Sequence, residues 1–355
     1  MIVAVLACGA PVLAQDPPSV EELLKHWQAR QDRVKSFRYE WTEDTFRPKG
    51  HVNLMMPDVF DKPIPPMDMR FSRPGYLSAA AGKLNYVHQQ QAWFDHEQRH
   101  AEVTMRFTFD GKNSKSVTTT SGKDHQVGQV RKEDHHSEIH NFLIQPLLLT
   151  FRSSAARISP YAGLPLKATG DSAQIQKARC WCYRVVGNGN LIWVDPNRHF
   201  IPLRVQTIQQ NVVTWQLDVQ FERHEPEDWI PISWRVVNYS GTGKLISSVN
   251  VQATKSEFNI DFSDSEFDLE FTAGTRVMDD KNGMQYIQRA GGERRVIRPN
   301  EVAKPYSELA ADRAADRLPS WRSVSWTAGS VFVIVVVGVV ILFMMRRRSG
   351  LRTTA

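Results

Sequence analysis

The chain has 355 residues, with 44 Lys or Arg against 38 Asp or Glu and a formal net charge of +6. Four of those arginines, Arg346, Arg347, Arg348 and Arg352, sit at the C-terminal end, and 44 less these four leaves 40 basic against 38 acidic side chains. A body so close to neutral carries no electrostatic footprint for a polyanion, which argues against a nucleic-acid partner.

Met1 to Ala14 is apolar and ends in Val12, Leu13 and Ala14, a pattern that reads as a secretion signal (1–14) cleaved before Gln15, with an uncleaved anchor as the alternative. Ser19 and Glu22 then spell a capping box that starts a helix. Val20, Leu23, Leu24 and Trp27 recur at one-face helical spacing, continued by Val34, while Lys25, Arg30, Asp32 and Arg33 fall on the rest of its surface. From Ser36 the period becomes two: Phe37, Tyr39 and Trp41 alternate with Arg38, Glu40 and Thr42, the pattern of a half-buried strand. Residues 47–66, rich in Pro and Met, read as a long loop and a candidate lid.

Short strands are expected at 67–71, 76–80 and 84–87, broken at Pro74-Gly75 and Gly82-Lys83. Val103, Met105, Phe107 and Phe109 alternate with polar neighbours, turn at Asp110-Gly111 and return through a threonine-rich strand, which predicts antiparallel pairing. Over 132–151, Ile139, Phe142, Leu143, Leu147 and Phe151 predict an amphipathic helix, kinked or divided at Pro146 and covering one side of the sheet. Strands resume at 180–186, 191–194 and 203–208. Leu217 and Phe221 then alternate with Asp218 and Gln220, and Trp234 and Val236 with Arg235, before a last hairpin around Asn282-Gly283. Cys180 and Cys182 flank Trp181, and neighbours two apart in a strand point the same way without meeting disulfide geometry, so two buried thiols are expected.

A polar, alanine-rich stretch at 299–325 reads as a stalk. Trp326 to Met345 follows without a charge and stops at Arg346. About 20 helical residues cross a hydrocarbon core roughly 30 Å thick, and arginines directly after a span favour the cytoplasmic side. The expected topology is a body at 15–298 in the periplasm, one pass through the inner membrane at 326–345 and a cytoplasmic basic tail at 346–355. The expected fold is α+β: a curved antiparallel sheet, an open half-barrel of about ten or eleven strands, with two main helices on its concave side, plus the C-terminal transmembrane helix.

The leading capped helix, the long antiparallel meander and the inserted helix come with three sequence stretches. Leu191-Ile192-Trp193-Val194-Asp195-Pro196 is followed by Pro202-Leu203-Arg204-Val205, and later come Phe267-Asp268-Leu269 and Gly274-Thr275-Arg276-Val277. Together, over residues 19–297, they resemble the LolA-like family, the bacterial superfamily of lipoprotein carriers and related lipid-binding proteins. The resemblance implies an open half-barrel whose concave face, lidded by helices, holds acyl chains. Trp41, Met105, Phe107, Phe109, Leu217, Phe221 and Trp234 are the large apolar inward candidates for such a cavity, with plain core packing as the other reading. A tethered body departs from a soluble carrier, so local capture, hand-off or sensing is expected in place of shuttling.

His136 and His140 share a helix face at i and i+4, a spacing that holds zinc or copper, but neither a third ligand nor a His-Glu-x-x-His pattern accompanies them. A solvated polar face is the preferred reading, there and at His96 and His100. No nucleophile elbow and no phosphate loop occurs. The sequence thus points to a noncatalytic lipid- or lipoprotein-binding module that needs no cofactor. Its expected partners are acyl chains, the membrane and an envelope protein. Two alternatives stay open: an envelope sensor or scaffold, and a metal-dependent hydrolase using His136 and His140.

Overall fold

A computed structural model describes residues 16–55, 62–94, 97, 99–132, 143–151, 165–187 and 189–311. The chain divides into two units, Met1–Ala310 and Ala311–Ala355, and the elements below belong to the first. The expected signal segment, the span at 326–345, and His96, His136 and His140 lie outside the described residues. Among the described residues no helix is long and apolar enough to cross a membrane.

Two meanders build one large curved sheet. The first comprises β1 (Ser36–Arg47), β2 (Met69–Ala80), β3 (Lys83–Phe94), β4 (Arg99–Phe109), β5 (Asn113–Thr120) and β6 (Val127–Lys132). The second comprises β7 (Leu166–Ile175), β8 (Ala178–Val185), β9 (Leu191–Asp195), β10 (Ile201–Gln209), β11 (Val212–His224), β12 (Asp228–Tyr239) and β13 (Leu245–Phe258). They join where β1 pairs antiparallel with β13. Then β14 (Arg276–Asp279), β15 (Met284–Gln288) and β16 (Arg294–Ile297) extend the sheet, with β14 parallel to β6. Sixteen strands are therefore described, in the order β16-β15-β14-β6-β5-β4-β3-β2-β1-β13-β12-β11-β10-β9-β8-β7, where the sequence pattern supports ten or eleven. The extra strands are short or polar, such as Val127-Gly-Gln-Val-Arg-Lys132, and show no clean alternation to read.

Register shifts fall in the β1–β13 pair and among β7–β13, at Glu40/Trp41, Thr207/Ile208, Gln220/Phe221 and Asn238/Tyr239 among others. Such irregularities bend a strand and increase its local twist, so the second meander carries the devices that curve the sheet. Pro74-Gly75 does not break β2. That strand runs through it on β1, with Pro74 opposite Thr42, while the β2–β3 ladder begins only at Gly75 opposite His88. Proline, which lacks an N–H, stands where no ladder partner on the β3 side is needed. Residues 69–74 of β2 thus part from residues 89–94 of β3, which pair with β4 alone.

Two helices pack on one face, the inner face. In α1 (Val20–Arg33), Ser19 caps the helix by accepting from the Glu22 backbone N–H at 3.1 Å. Its buried stripe is Leu23, Trp27 and Arg30, at i, i+4 and i+7. Arg30, expected on the solvated side, is fully buried and donates to the His199 carbonyl at 2.7 Å; burial lowers its pKa to about 10. Leu24 takes the exposed place instead, at 44%. Of the amphipathic helix expected over 132–151, residues 133–142 lie outside the described residues; its described part, α3 (Gln145–Phe151), is buried on every side and plugs the inner face, with Pro146 tolerated in its first turn. A short α2 (His51–Met55) occupies part of the expected loop at 47–66.

The outer face is crossed by residues 259–275, which carry the chain from β13 to β14. Glu266 pins this strap: it accepts from Ser78 Oγ at 2.6 Å, from Asn85 Nδ2 at 3.2 Å and from the Tyr76 hydroxyl. Lys83 and Lys115 pair with Asp264 and Asp268, each at 2.6 Å. Past Arg298 the chain stays folded: α4 (Tyr306–Ala311) buries Leu309 against Ile287 and Ile297, and Arg295 meets Glu301 at 3.1 Å.

Candidate ligand-binding site

Alternation along β1 sends Phe37, Tyr39, Trp41, Glu43 and Thr45 to the inner face, all of them buried. Glu43 is therefore an acid in phase with an aromatic stripe. Gly75 of β2 lies under Trp41, where a Cβ would stand 2.2 Å from the indole, so only glycine lets that ring lie flat against the strand. Trp41 then reaches Tyr86 of β3 at 6.3 Å and Trp234 of β12 at 6.0 Å between centroids, and Tyr86 stacks on His88 at 6.0 Å.

Six of the seven expected cavity residues, Trp41, Phe107, Phe109, Leu217, Phe221 and Trp234, belong to one buried core, and Met105 packs against it half-buried. The ladders set three of them against other inner-face side chains: Phe107 opposite Tyr86, Met105 opposite His88, and Leu217 opposite Val236. None of the seven lines the hollow on this face, which encloses about 200 Å³. Its walls come from their neighbours. Glu43 and Arg47 on β1, Phe71 on β2 and His88 on β3 form one side, while Val236 on β12 and Val249 on β13 form the other, with Leu143 also in the wall. Phe71 and Gln90 line it from the two sides of the β2–β3 split, which Arg47 bridges by donating to the Gln91 carbonyl at 3.3 Å.

The electrostatics follow from burial. Desolvation pushes the Glu43 carboxyl up to about 8, against the smaller pull of the nearby Trp41 indole, Arg47 and Arg73. That indole N–H leans toward the acid without completing a hydrogen bond. Burial likewise pushes the His88 imidazole down to about 4, helped by Arg47. The two groups approach to 3.7 Å, too far to hydrogen-bond, and with both uncharged near neutral pH they form no ion pair. Burial also lowers the Arg47 pKa, opposed by Glu43.

A wider cleft of about 740 Å³ lies near β14–β16; within its walls Lys115 pairs with Asp268, and the Asp279 carboxylate accepts from Asn282. Cys180 and Cys182 are free and buried, as expected, and burial pushes the Cys180 thiol up to about 12, which leaves it unreactive. Among the described residues no group of three His, Cys, Asp or Glu side chains comes together in a metal-binding arrangement. Asp195-Pro196 turns the chain between β9 and β10, Asp195 accepting from the Asn197 backbone N–H at 2.9 Å. Glu43, Arg47 and His88 are absent from the residues singled out in the sequence, although the alternation that selects Trp41 continues to Glu43 and marks it.

No family model and no curated protein sequence matches the chain. Among solved structures it is similar to a LolA superfamily protein, NE2245, from Nitrosomonas europaea, at 10% identity over 71% of this chain and 99% of that one, with a TM-score of 0.39. It is also similar to PNGF-II in two crystal forms, at 9% and 11% identity over 70% and 69% of this chain, with TM-scores of 0.20 and 0.19; these matches span 32% and 31% of those chains.

Proposed function

We propose that this chain is a noncatalytic, membrane-tethered module of the periplasm that holds the acyl chains of a lipid or lipoprotein against the inner face of its curved sheet. The observation that supports this most is the hollow, a recess walled in part by Phe71, Leu143, Val236 and Val249 and otherwise by polar side chains, beside the buried Trp41–Trp234 core. Shielding 200 Å² of acyl surface at about 25 cal/mol per Å² contributes on the order of 5 kcal/mol, enough to drive capture without chemistry. Trp41, Met105, Phe107, Phe109, Leu217, Phe221 and Trp234 form the dry floor behind the recess. The tether rests on the uncharged run before Arg346 and the periplasmic placement on the arginines after it.

Native mass spectrometry of the full chain released from neutral detergent tests this. Co-purifying acyl-bearing molecules at a fixed stoichiometry are expected. A chain that emerges lipid-free and ignores added acyl probes contradicts the proposal and favours a scaffold for a protein partner. Protease added to spheroplasts is expected to degrade the body and spare the terminal arginines; the reverse pattern would contradict the topology.

A further inference from the structure

Two polar side chains lining this hollow each leave one buried atom without a hydrogen bond. Glu43, with a side chain 1% exposed, leaves Oε2 unpaired, and His88 leaves Nδ1 unpaired on the adjoining wall. Buried polar atoms are nearly always satisfied, because an orphan costs about 1–3 kcal/mol, so adjacent orphans facing one hollow mark an unfinished hydrogen-bond set.

The sign of the missing group follows from the charges around it. On the inner face β1 contributes Glu43 and Arg47, β2 contributes Arg73, and β3 contributes Tyr86 and His88; β12 and β13 contribute Trp234, Val236, Val249 and Val251, none of them charged. Arg73 is held by Glu102 of β4 at 2.6 Å. Arg47 has no carboxylate within ion-pair reach among the described residues, and its one side-chain hydrogen bond goes to a backbone carbonyl. With Glu43 protonated and His88 neutral, the hollow near neutral pH is a donor-rich site of net positive charge. A planar guanidinium fork with spare N–H groups matches a carboxylate better than any uncharged head.

Size and wall set the remainder. About 200 Å³ is less than a whole lipid needs, and the apolar wall of Phe71, Val236 and Val249 would be wasted on a bare anion. We propose that this hollow recognises the head of a long-chain carboxylate, with the anionic oxygens against Arg47, Glu43 and His88 donating to them, and the first methylenes along Phe71, Val236 and Val249. The split beside Phe71 and Gln90 gives the rest of the chain a way out of the sheet. This inference rests on the acyl-holding function above and names the ligand class that function would select.

Isothermal titration of the full chain in neutral detergent micelles, with hexadecanoate, hexadecanol, hexadecyl phosphate and inorganic phosphate, tests it. Hexadecanoate is expected to bind about 10- to 100-fold more tightly than hexadecanol, the range of a charge-assisted hydrogen bond. Arg47→Gln should narrow that ratio to about twofold or less, while Arg47→Lys, which keeps the charge, should restore part of it. Wild-type binding should weaken above about pH 8 as Glu43 ionises and repels the head, and Glu43→Gln should flatten that decline. If Arg47→Gln does not fold, the acid-to-alcohol ratio of the wild type and the Glu43→Gln pH profile decide the matter.

Equal binding of acid and alcohol overturns the carboxylate site and leaves the acyl-holding function standing. A preference that survives Arg47→Gln overturns it as well. Tighter binding of hexadecyl phosphate moves the head to phosphate, tight binding of inorganic phosphate makes the chain irrelevant, and each contradicts the assignment. Binding of neither acid nor alcohol overturns this inference and the proposed function together.

Discussion

Glu43 and Glu266 lie on opposite faces of the same strands, β1 to β3, and their surroundings treat them in opposite ways. Glu43 faces inward among aromatic rings, and desolvation raises its pKa to about 8. Burial of Glu266 also pushes its pKa up, but hydrogen bonds from Ser78, Tyr76 and Asn85, with Arg38 nearby, outweigh that push and hold it below the usual value. The outer acid is satisfied and ties the strap to the sheet; the inner acid leaves its Oε2 without a hydrogen bond in an otherwise packed face. A residue type whose bonds are complete does structural service, and the same type left incomplete on the neighbouring face points to a ligand.

The contrast can be broken most severely at the inner packing. Gly75→Val drives a side chain into the Trp41 indole, where even a Cβ stands at 2.2 Å. A loss of about 3 kcal/mol is expected in urea unfolding, at the upper end for overpacked cores. An unchanged midpoint would show that Trp41 does not lie over this strand.

The next largest effect is pH-dependent. A carboxyl whose folded pKa is raised gives stability that is complete below its unfolded value and lost as pH climbs through the folded value, here between about 4 and about 8. Glu43→Gln should therefore match the wild type near about pH 4 and exceed it above about pH 8, by an amount on the order of a few kcal/mol. Parallel stability curves for the two proteins would place a charged, solvated carboxylate at this position. Glu266→Gln sharpens the contrast from the other side. Its depressed pKa means the stability it confers is present above the unfolded value and lost as pH falls through the folded one. A cost of about 1–2 kcal/mol at neutral pH, shrinking in acid, is expected for a half-buried acceptor of several bonds. The smallest effect belongs to the strap's exposed pair. Lys83→Ala removes a contact with Asp264 whose carboxylate is 94% exposed, and the urea midpoint should not move measurably.

Much of this contrast is written in the residues themselves. Alternation in Phe37-Arg38-Tyr39-Glu40-Trp41 places the inner stripe, the Ser19 cap starts α1, and Asp195-Pro196 turns where it is expected to turn. Burial of Arg30 was not legible, because helical spacing shows which residues share a stripe but not that a charged one will find the His199 carbonyl inside. The parallel union of β14 with β6 joins residues about 150 positions apart, and no local pattern encodes it. Pro74-Gly75 reads as a break because both residues usually end strands. Here the proline faces the side of the split that has no ladder, and the glycine makes room for Trp41. The candidate site was half legible for a related reason. Large apolar side chains announce a dry face, whereas Glu43 and His88 gain their character only when strands far apart in sequence remove their water.

On the proposed function, acyl chains lie in the inner-face hollow. Photocrosslinking the full chain with a fatty acid carrying a diazirine near its carboxyl end, followed by peptide mapping, tests it most directly. Label is expected on the peptides of β2, β12 and β13 that hold Phe71, Val236 and Val249, competed away by unlabelled hexadecanoate. Label confined to the outer-face strap or to residues beyond 311, or a pattern indifferent to competitor, would contradict the account.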